Sequence, residues 1–320
     1  MLFSQNDVDN LPIVESELAK KILSQKINLN TVNYDLKYHK LDLNVDPEEA
    51  FISGTITSHF LALEDLDQIT FDLSDNMQVE SVIYLATNAN LGFTQNSNDE
   101  VIIDLPNIQN QGVLDSISIS YSGNPVSSGF GSFEQSTHDG DPVIWTLSEP
   151  YGAKGWWPCK QDLNDKIDSI DVFINTPIYN SDSEAYVAVS NGLEISQEIN
   201  EDIKTTHFKH NYPIPAYLIA IAVTNYEVYS HEVDNNGNTF DIVNYVYPED
   251  FTSAQNQTLI TVDIMNFFTE KFEEYPFSDE KYGHAQFGWG GGMEHTTVSF
   301  MGNFSRGLIA HELAHQWFGN

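Results

Sequence analysis

The strongest constraint on the fold is a hydrophobic period of two that begins at Thr31. The segments TVNYDLKYHKLDLNV, AFISGTITSHFLAL, QITFDLSD, VESVIYLA, EVIIDLP and DSISISYSG alternate apolar with polar side chains. Successive side chains of a strand point to opposite faces, so such a pattern describes strands with one buried and one solvated face. Clusters of Pro, Gly, Asn and Asp punctuate them as turns. The texture continues through PVIWTLSEP, DSIDVFINTP, AYVAVSNGLEISQEI, KTTHFKHNY and AYLIAIAVTNYEVYSHEV. The expectation is a mainly β domain over residues 28–226, built of large antiparallel sheets in a saddle or sandwich arrangement. Asn191-Gly192 and Asn236-Gly237 read as hairpin turns. Residues 1–27 stand apart as an appendage in which ESELAKKILSQKI predicts a short amphipathic helix, with Leu18 and Ile22 on one face.

After GNTFDIVNYVYPED the period changes. TSAQNQTLITVDIMNFFTEKFEEYPF carries Leu259, Val262, Met265, Phe268 and Phe272 at spacings of three and four, which predicts a helix. Thr252 and Gln255 have the spacing of a capping box, and Pro276 ends the run. Residues 227–320 therefore form a second domain of mixed α and β character. With 320 residues, 41% of them apolar, the chain can bury a substantial core. A formal charge of -34 repels phosphate backbones and anionic membranes, which argues against nucleic-acid and membrane partners. The lone Cys159 excludes an intrachain disulfide and reads as a small buried residue. No apolar run has the length of a membrane span, and the start MLFSQNDVDN has neither the basic nor the long apolar region of a signal peptide.

The chemistry concentrates in SRGLIAHELAHQWFGN, residues 305–320. Ser305 is placed to cap a helix whose apolar positions are Leu308, Ile309, Leu313 and Trp317. On that helix His311 and His315 lie four apart, nearly one above the other, and can offer two imidazole nitrogens to one zinc ion. Glu312 lies beside them, placed to take a proton from a water activated by the metal. A catalytic zinc needs three protein ligands and an open position. The helix supplies two and no third is evident before the sequence stops, so this stretch alone is expected to turn over weakly or not at all. The bland alternative is a buried helix that happens to carry two histidines.

Two further stretches stand out. In HAQFGWGGGMEHTTVSFMG the glycines Gly290, Gly291 and Gly292 allow close backbone approach, and Met293, Glu294 and His295 lead into TTVSF, which reads as an edge strand able to pair with an extended peptide. In WTLSEPYGAKGWWPCKQDLNDK the aromatic density marks Trp156 and Trp157 as core, and Glu149 alone reads as a turn residue.

Together GGMEH at 291–295 and HELAHQW at 311–317 resemble the paired signatures of the M1 (gluzincin) zinc aminopeptidases. TLSEPYGAKGWWPC resembles a segment of that family's N-terminal β-domain, and PIPAYLIAIAV at 213–223 the stretch that closes it. The resemblance covers Thr31 to Asn320. It implies a β-domain followed by the start of an α+β, thermolysin-like catalytic domain. It also implies a Zn2+ cofactor held by His311 and His315, with Glu312 as general base. The free α-amino group of a peptide substrate would bind Glu294 and Glu149, with Gly291, Gly292 and Met293 along its backbone. Two carboxylates facing one ammonium would hold the N-terminus at a fixed distance from the metal, so that only the first peptide bond is cleaved. The family's third ligand, a Glu beyond His315, and its transition-state Tyr would fall outside residues 1–320. This chain departs from the pattern at His295, where Asn is usual, and at Leu147, where Gln often stands. Two other readings stay open: an endopeptidase using the same helix, and a non-catalytic peptide-binding or assembly module with a vestigial zinc helix.

Overall fold

A computed structural model of the chain describes residues 28–125, 132–235 and 237–319. The helix expected within residues 15–27 lies outside them. The described residues divide into two compact units, Asn28–Asn225 and a second that starts at Tyr226.

In the first unit the alternating segments are strands. They begin with β1 (Tyr34–Val45), β2 (Ile52–Ala62), β3 (Leu66–Asp72), β4 (Met77–Tyr84) and β5 (Ala89–Asn90). There follow β6 (Phe93–Asn96), β7 (Glu100–Gln109), β8 (Leu114–Gly123), β9 (Phe133–His138) and β10 (Asp141–Thr146). The last are β11 (Ser169–Pro177), β12 (Val187–Ser190), β13 (Leu193–Asn200), β14 (Ile203–His210) and β15 (Ile221–Thr224). Among the described residues the largest sheet runs β13-β14-β11-β1-β2-β8-β4-β5, beside the sheets β12-β15-β10-β9 and β3-β7-β6. Most pairs are antiparallel, as expected. The exception is β1 with β11, which run parallel from Tyr38 opposite Ser169 to Asn44 opposite Asn175. A strand half-buried in either direction has the same period of two, so the sequence carries no mark of this reversal.

The buried face of the large sheet is the one the alternation marks: Leu41 and Leu43 on β1, Ile56 and Phe60 on β2, Ile119 on β8 and Val172 on β11 are fully enclosed. Each such side chain contributes about 1.5–3 kcal/mol of transfer free energy. The opposite face is polar, with Thr55 Oγ1 3.1 Å from Ser120 Oγ and the Tyr38 hydroxyl donating to Asp171 at 2.9 Å. Trp156 and Trp157 are core, as is Cys159. The Trp156 indole donates to Ser148 Oγ at 2.9 Å, while its carbonyl accepts from the Tyr121 hydroxyl at 2.9 Å.

Asn191-Gly192 is not a hairpin turn. It joins β12 to β13, which belong to different sheets, and so turns a corner. The Asn191 side chain accepts from the Ala220 N–H and donates to the Leu218 carbonyl, both at 2.9 Å. Gly192, at φ +75°, passes so close to β14 that a Cβ would stand 2.0 Å from the Lys209 carbonyl oxygen.

The second unit opens with the hairpin β16 (Glu227–Asn235) and β17 (Asn238–Val246), and Gly237 takes φ +92° in the expected turn. Asn236 lies outside the described residues. Strands β18 (Tyr282–Gln286), β19 (Gly292–Met293) and β20 (Ser299–Met301) complete a sheet in the order β16-β17-β18-β20-β19. The helical segment is interrupted at Leu259, giving α1 (Phe251–Thr258) and α2 (Ile260–Lys271). No capping box forms at Thr252: a short 3-10 turn, Pro248–Asp250, feeds α1, and Asp250 is its N-cap. The end comes at Lys271, ahead of Pro276. The Thr258 hydroxyl donates back to the Ala254 carbonyl at 2.9 Å, a bond that bends helices. The buried stripe follows that bend through Ala254, Thr258, Thr261, Ile264 and Met265, leaving Leu259 and Phe272 exposed rather than inside. A last helix, α3 (Arg306–Ala314), carries His311 within it and His315 as its C-cap. Among the described residues no helix is long and apolar enough to cross a membrane.

Candidate metal centre

Helix α3 starts where the sequence places its cap. Ser305 is in extended backbone, and its Oγ accepts from the Leu308 N–H at 3.4 Å. Leu308, Ile309 and Leu313 are buried and hold one face. The far end is fixed by Trp317, whose indole donates to the Glu273 carbonyl at 3.1 Å and meets the Phe268 and Tyr275 rings edge-on at 5.7 and 5.6 Å.

His311 and His315 converge. Their rings lie 5.0 Å apart at 79°, and the two Nε2 atoms are separated by 3.4 Å. That is long for a hydrogen bond. Two nitrogens bound tetrahedrally at the usual zinc distance stand about 3.3 Å apart, so the pair has the spacing of two ligands on one ion. At His315, Nδ1 donates to the Phe318 carbonyl at 3.2 Å, which fixes the tautomer with a lone pair on Nε2, the second-shell arrangement of metal-ligating histidines. Among the described residues no group of three His, Cys, Asp or Glu side chains surrounds a single point. The donor set thus fits zinc in kind and spacing but supplies two ligands.

Glu312 is buried, and its carboxylate lies against β19. A Cβ at Gly292 would stand 2.2 Å from Glu312 Oε1, so Gly292 leaves room for the carboxylate. Tyr282 places its hydroxyl 2.8 Å from Ser299 Oγ, and burial pushes this phenol up, with the Glu312 charge adding to the effect.

The glycine stretch bends sharply before β19. Gly291 accepts from the Gly302 N–H at 2.8 Å, and a Cβ on Gly291 would run into the Trp289 ring at 2.3 Å. TTVSF is not the edge strand: Gly292 and Met293 form it, paired with Met301 and Phe300 of β20, and Thr296-Thr297 turn between them. Two threonines read as strand because they are β-branched, yet here closing the hairpin outweighs that preference. Met293 is buried and Glu294 nearly so.

His295 is fully buried, its ring edge-on to Phe300 at 4.4 Å, with neither nitrogen hydrogen-bonded. Burial lowers its pKa to about 3, so it is neutral. Gln316, which the sequence did not single out, accepts from the Thr297 N–H at 3.0 Å and donates to the Glu294 carbonyl at 3.3 Å. Its one signal was a long polar residue inside the apolar run that follows His315. Glu149 belongs to the other unit, half-buried in the loop after β10. The second unit thus gathers His311, Glu312, His315, Gly291, Gly292, Met293 and Glu294, and does not include Glu149.

Comparison with known proteins bears on both units. The sequence matches the Peptidase M1 N-terminal domain over residues 32–218. It is 29% identical over 198 residues to human glutamyl aminopeptidase, covering 56% of this chain and 19% of that protein. Over 220 residues it is 26% identical to aminopeptidase N of Haemonchus contortus, covering 61% of this chain and 22% of the relative. Among solved structures, an M1 zinc metallopeptidase from Deinococcus radiodurans superposes with a TM-score of 0.75 at 25% identity, covering 90% of this chain and 64% of that one. The chain therefore spans a minor part of the curated relatives it matches. A match over more than half its length shows that the chain belongs to the M1 peptidase family and carries that family's N-terminal domain.

Proposed function

We propose that the protein is a zinc-dependent aminopeptidase and that the unit starting at Tyr226 opens its thermolysin-like catalytic domain. The observation that carries this reading is the 3.4 Å separation of His311 Nε2 and His315 Nε2 beside a buried Glu312. His311 and His315 hold the metal, with the third protein ligand supplied from outside residues 28–319. Zinc bound there would acidify a water and polarise the scissile carbonyl. Glu312 takes the proton from the attacking water and returns it to the leaving amine. The edge formed by Gly291, Gly292 and Met293 pairs with the substrate backbone, and Glu294 receives its ammonium group. Membership of the M1 family supports these roles, as do the names of the relatives.

The test compares a peptide bearing a free N-terminus with its N-acetylated form, using the full-length protein. Only the free amine should be cleaved, and Glu312→Gln should lose at least about 100-fold in rate while keeping zinc. Cleavage of both peptides would replace this reading with an endopeptidase.

A further inference from the structure

Thr297 has a conformation its side chain resists. It is fully buried with φ +67°, and a β-branched residue in the left-handed region is an outlier that persists only where its surroundings impose it. The Gln316 amide sits across this turn. Its Oε1 accepts from the Thr297 N–H at 3.0 Å and its Nε2 donates to the Glu294 carbonyl at 3.3 Å, so one planar group ties the residue leaving β19 to the residue approaching β20. Gln316 is itself 3% exposed and its N–H donates to the Leu313 carbonyl at 3.1 Å, continuing the turn that presents His315.

The chemistry of the clamp is specific. One partner is a backbone donor and the other a backbone acceptor, so the bridging side chain needs an oxygen and an N–H at the same reach. A carboxylate cannot donate, and an apolar side chain of that length can do neither, leaving two buried backbone groups short of a partner.

From this geometry we infer that Gln316 is a positioning residue: it holds Thr297 in its left-handed conformation and thereby fixes Glu294 relative to His311 and His315. The inference rests on the proposed role of Glu294 as the amine anchor. An exopeptidase selects its bond by the distance from that anchor to the metal. A single side chain in the turn after the metal helix therefore sets the length the enzyme measures.

The experiment uses the full-length protein with Gln316→Met, Thr297→Gly and both together. Zinc content, KM and kcat for an aminoacyl amide, and amide exchange over residues 294–299 are read for each. Gln316→Met is expected to raise KM about tenfold with zinc retained and kcat within about threefold, because the ammonium site moves and the metal does not. Glycine accepts the left-handed conformation without strain, so adding Thr297→Gly should return most of the lost KM. Exchange at residues 294–299 should speed up about tenfold in Gln316→Met and slow again in the double variant. Gln316→Leu, which likewise offers neither the acceptor nor the donor, provides the same comparison should Gln316→Met not fold. Unchanged KM, or loss that Thr297→Gly does not relieve, overturns the inference. A wild-type protein that holds zinc but cleaves no free-amine substrate would overturn the aminopeptidase reading instead, and exchange at residues 294–299 would then decide the clamp alone, with no acceleration in Gln316→Met refuting it.

Discussion

Three imidazoles, those of His39, His284 and His295, are fully buried, and burial is the main cause that brings each down to about 3. In the unfolded chain a histidine takes up its proton near pH 6.5, as an ordinary imidazole does. Between those values the unfolded chain binds more protons than the folded one, so the contribution to stability is complete above pH 6.5 and is lost as the pH falls towards 3. Each group adds a slope of about 1.4 kcal/mol per pH unit within that window. The urea midpoint should therefore drop between pH 6.5 and 5, above the range where ordinary carboxylates titrate, and a flat profile there would contradict the burial of these rings. At this scale the sequence revealed what depends on local spacing. His311, Glu312 and His315 follow from the pitch of a helix, and Ser305 from cap chemistry. Thr297 gave no warning, because a left-handed residue is usually announced by Gly or Asn. The packing of His295 against Phe300 depends on a hairpin whose turn was itself misplaced.

Elements were legible in existence and less so in connection. The period of two marked β1, β2, β8, β11 and β14, because each exposes one face of the large sheet. It could not show that β1 and β11 run parallel, since strand direction leaves the period unchanged. Asn191-Gly192 has hairpin chemistry, yet the contact of Gly192 with the Lys209 carbonyl gives the pair a different use. The bend between α1 and α2 turns on Thr258, whose hydroxyl proton goes to Ala254. The Tyr229 hydroxyl at 2.8 Å and His231 Nε2 at 2.9 Å must then both donate to Thr258 Oγ1. Thr258→Val keeps the shape and removes that acceptor. It should destabilise the second unit by about 1–3 kcal/mol, measured by urea denaturation, because two partly buried donors lose their partner. A neutral result would show that water replaces the hydroxyl.

For the molecule as a whole, composition set limits and the two units set the chemistry. A charge of -34 disfavours anionic partners and draws cations such as the ammonium group of a peptide. The match to the M1 N-terminal domain falls entirely within the first unit, whereas the convergent histidines belong to the second. The central claim is that this second unit holds zinc through His311 and His315, and elemental analysis of the purified full-length protein tests it directly. One zinc per chain is predicted for the wild type and for Glu312→Gln, and none for His311→Ala combined with His315→Ala. A wild type without zinc, or a double variant that keeps it, would contradict the account.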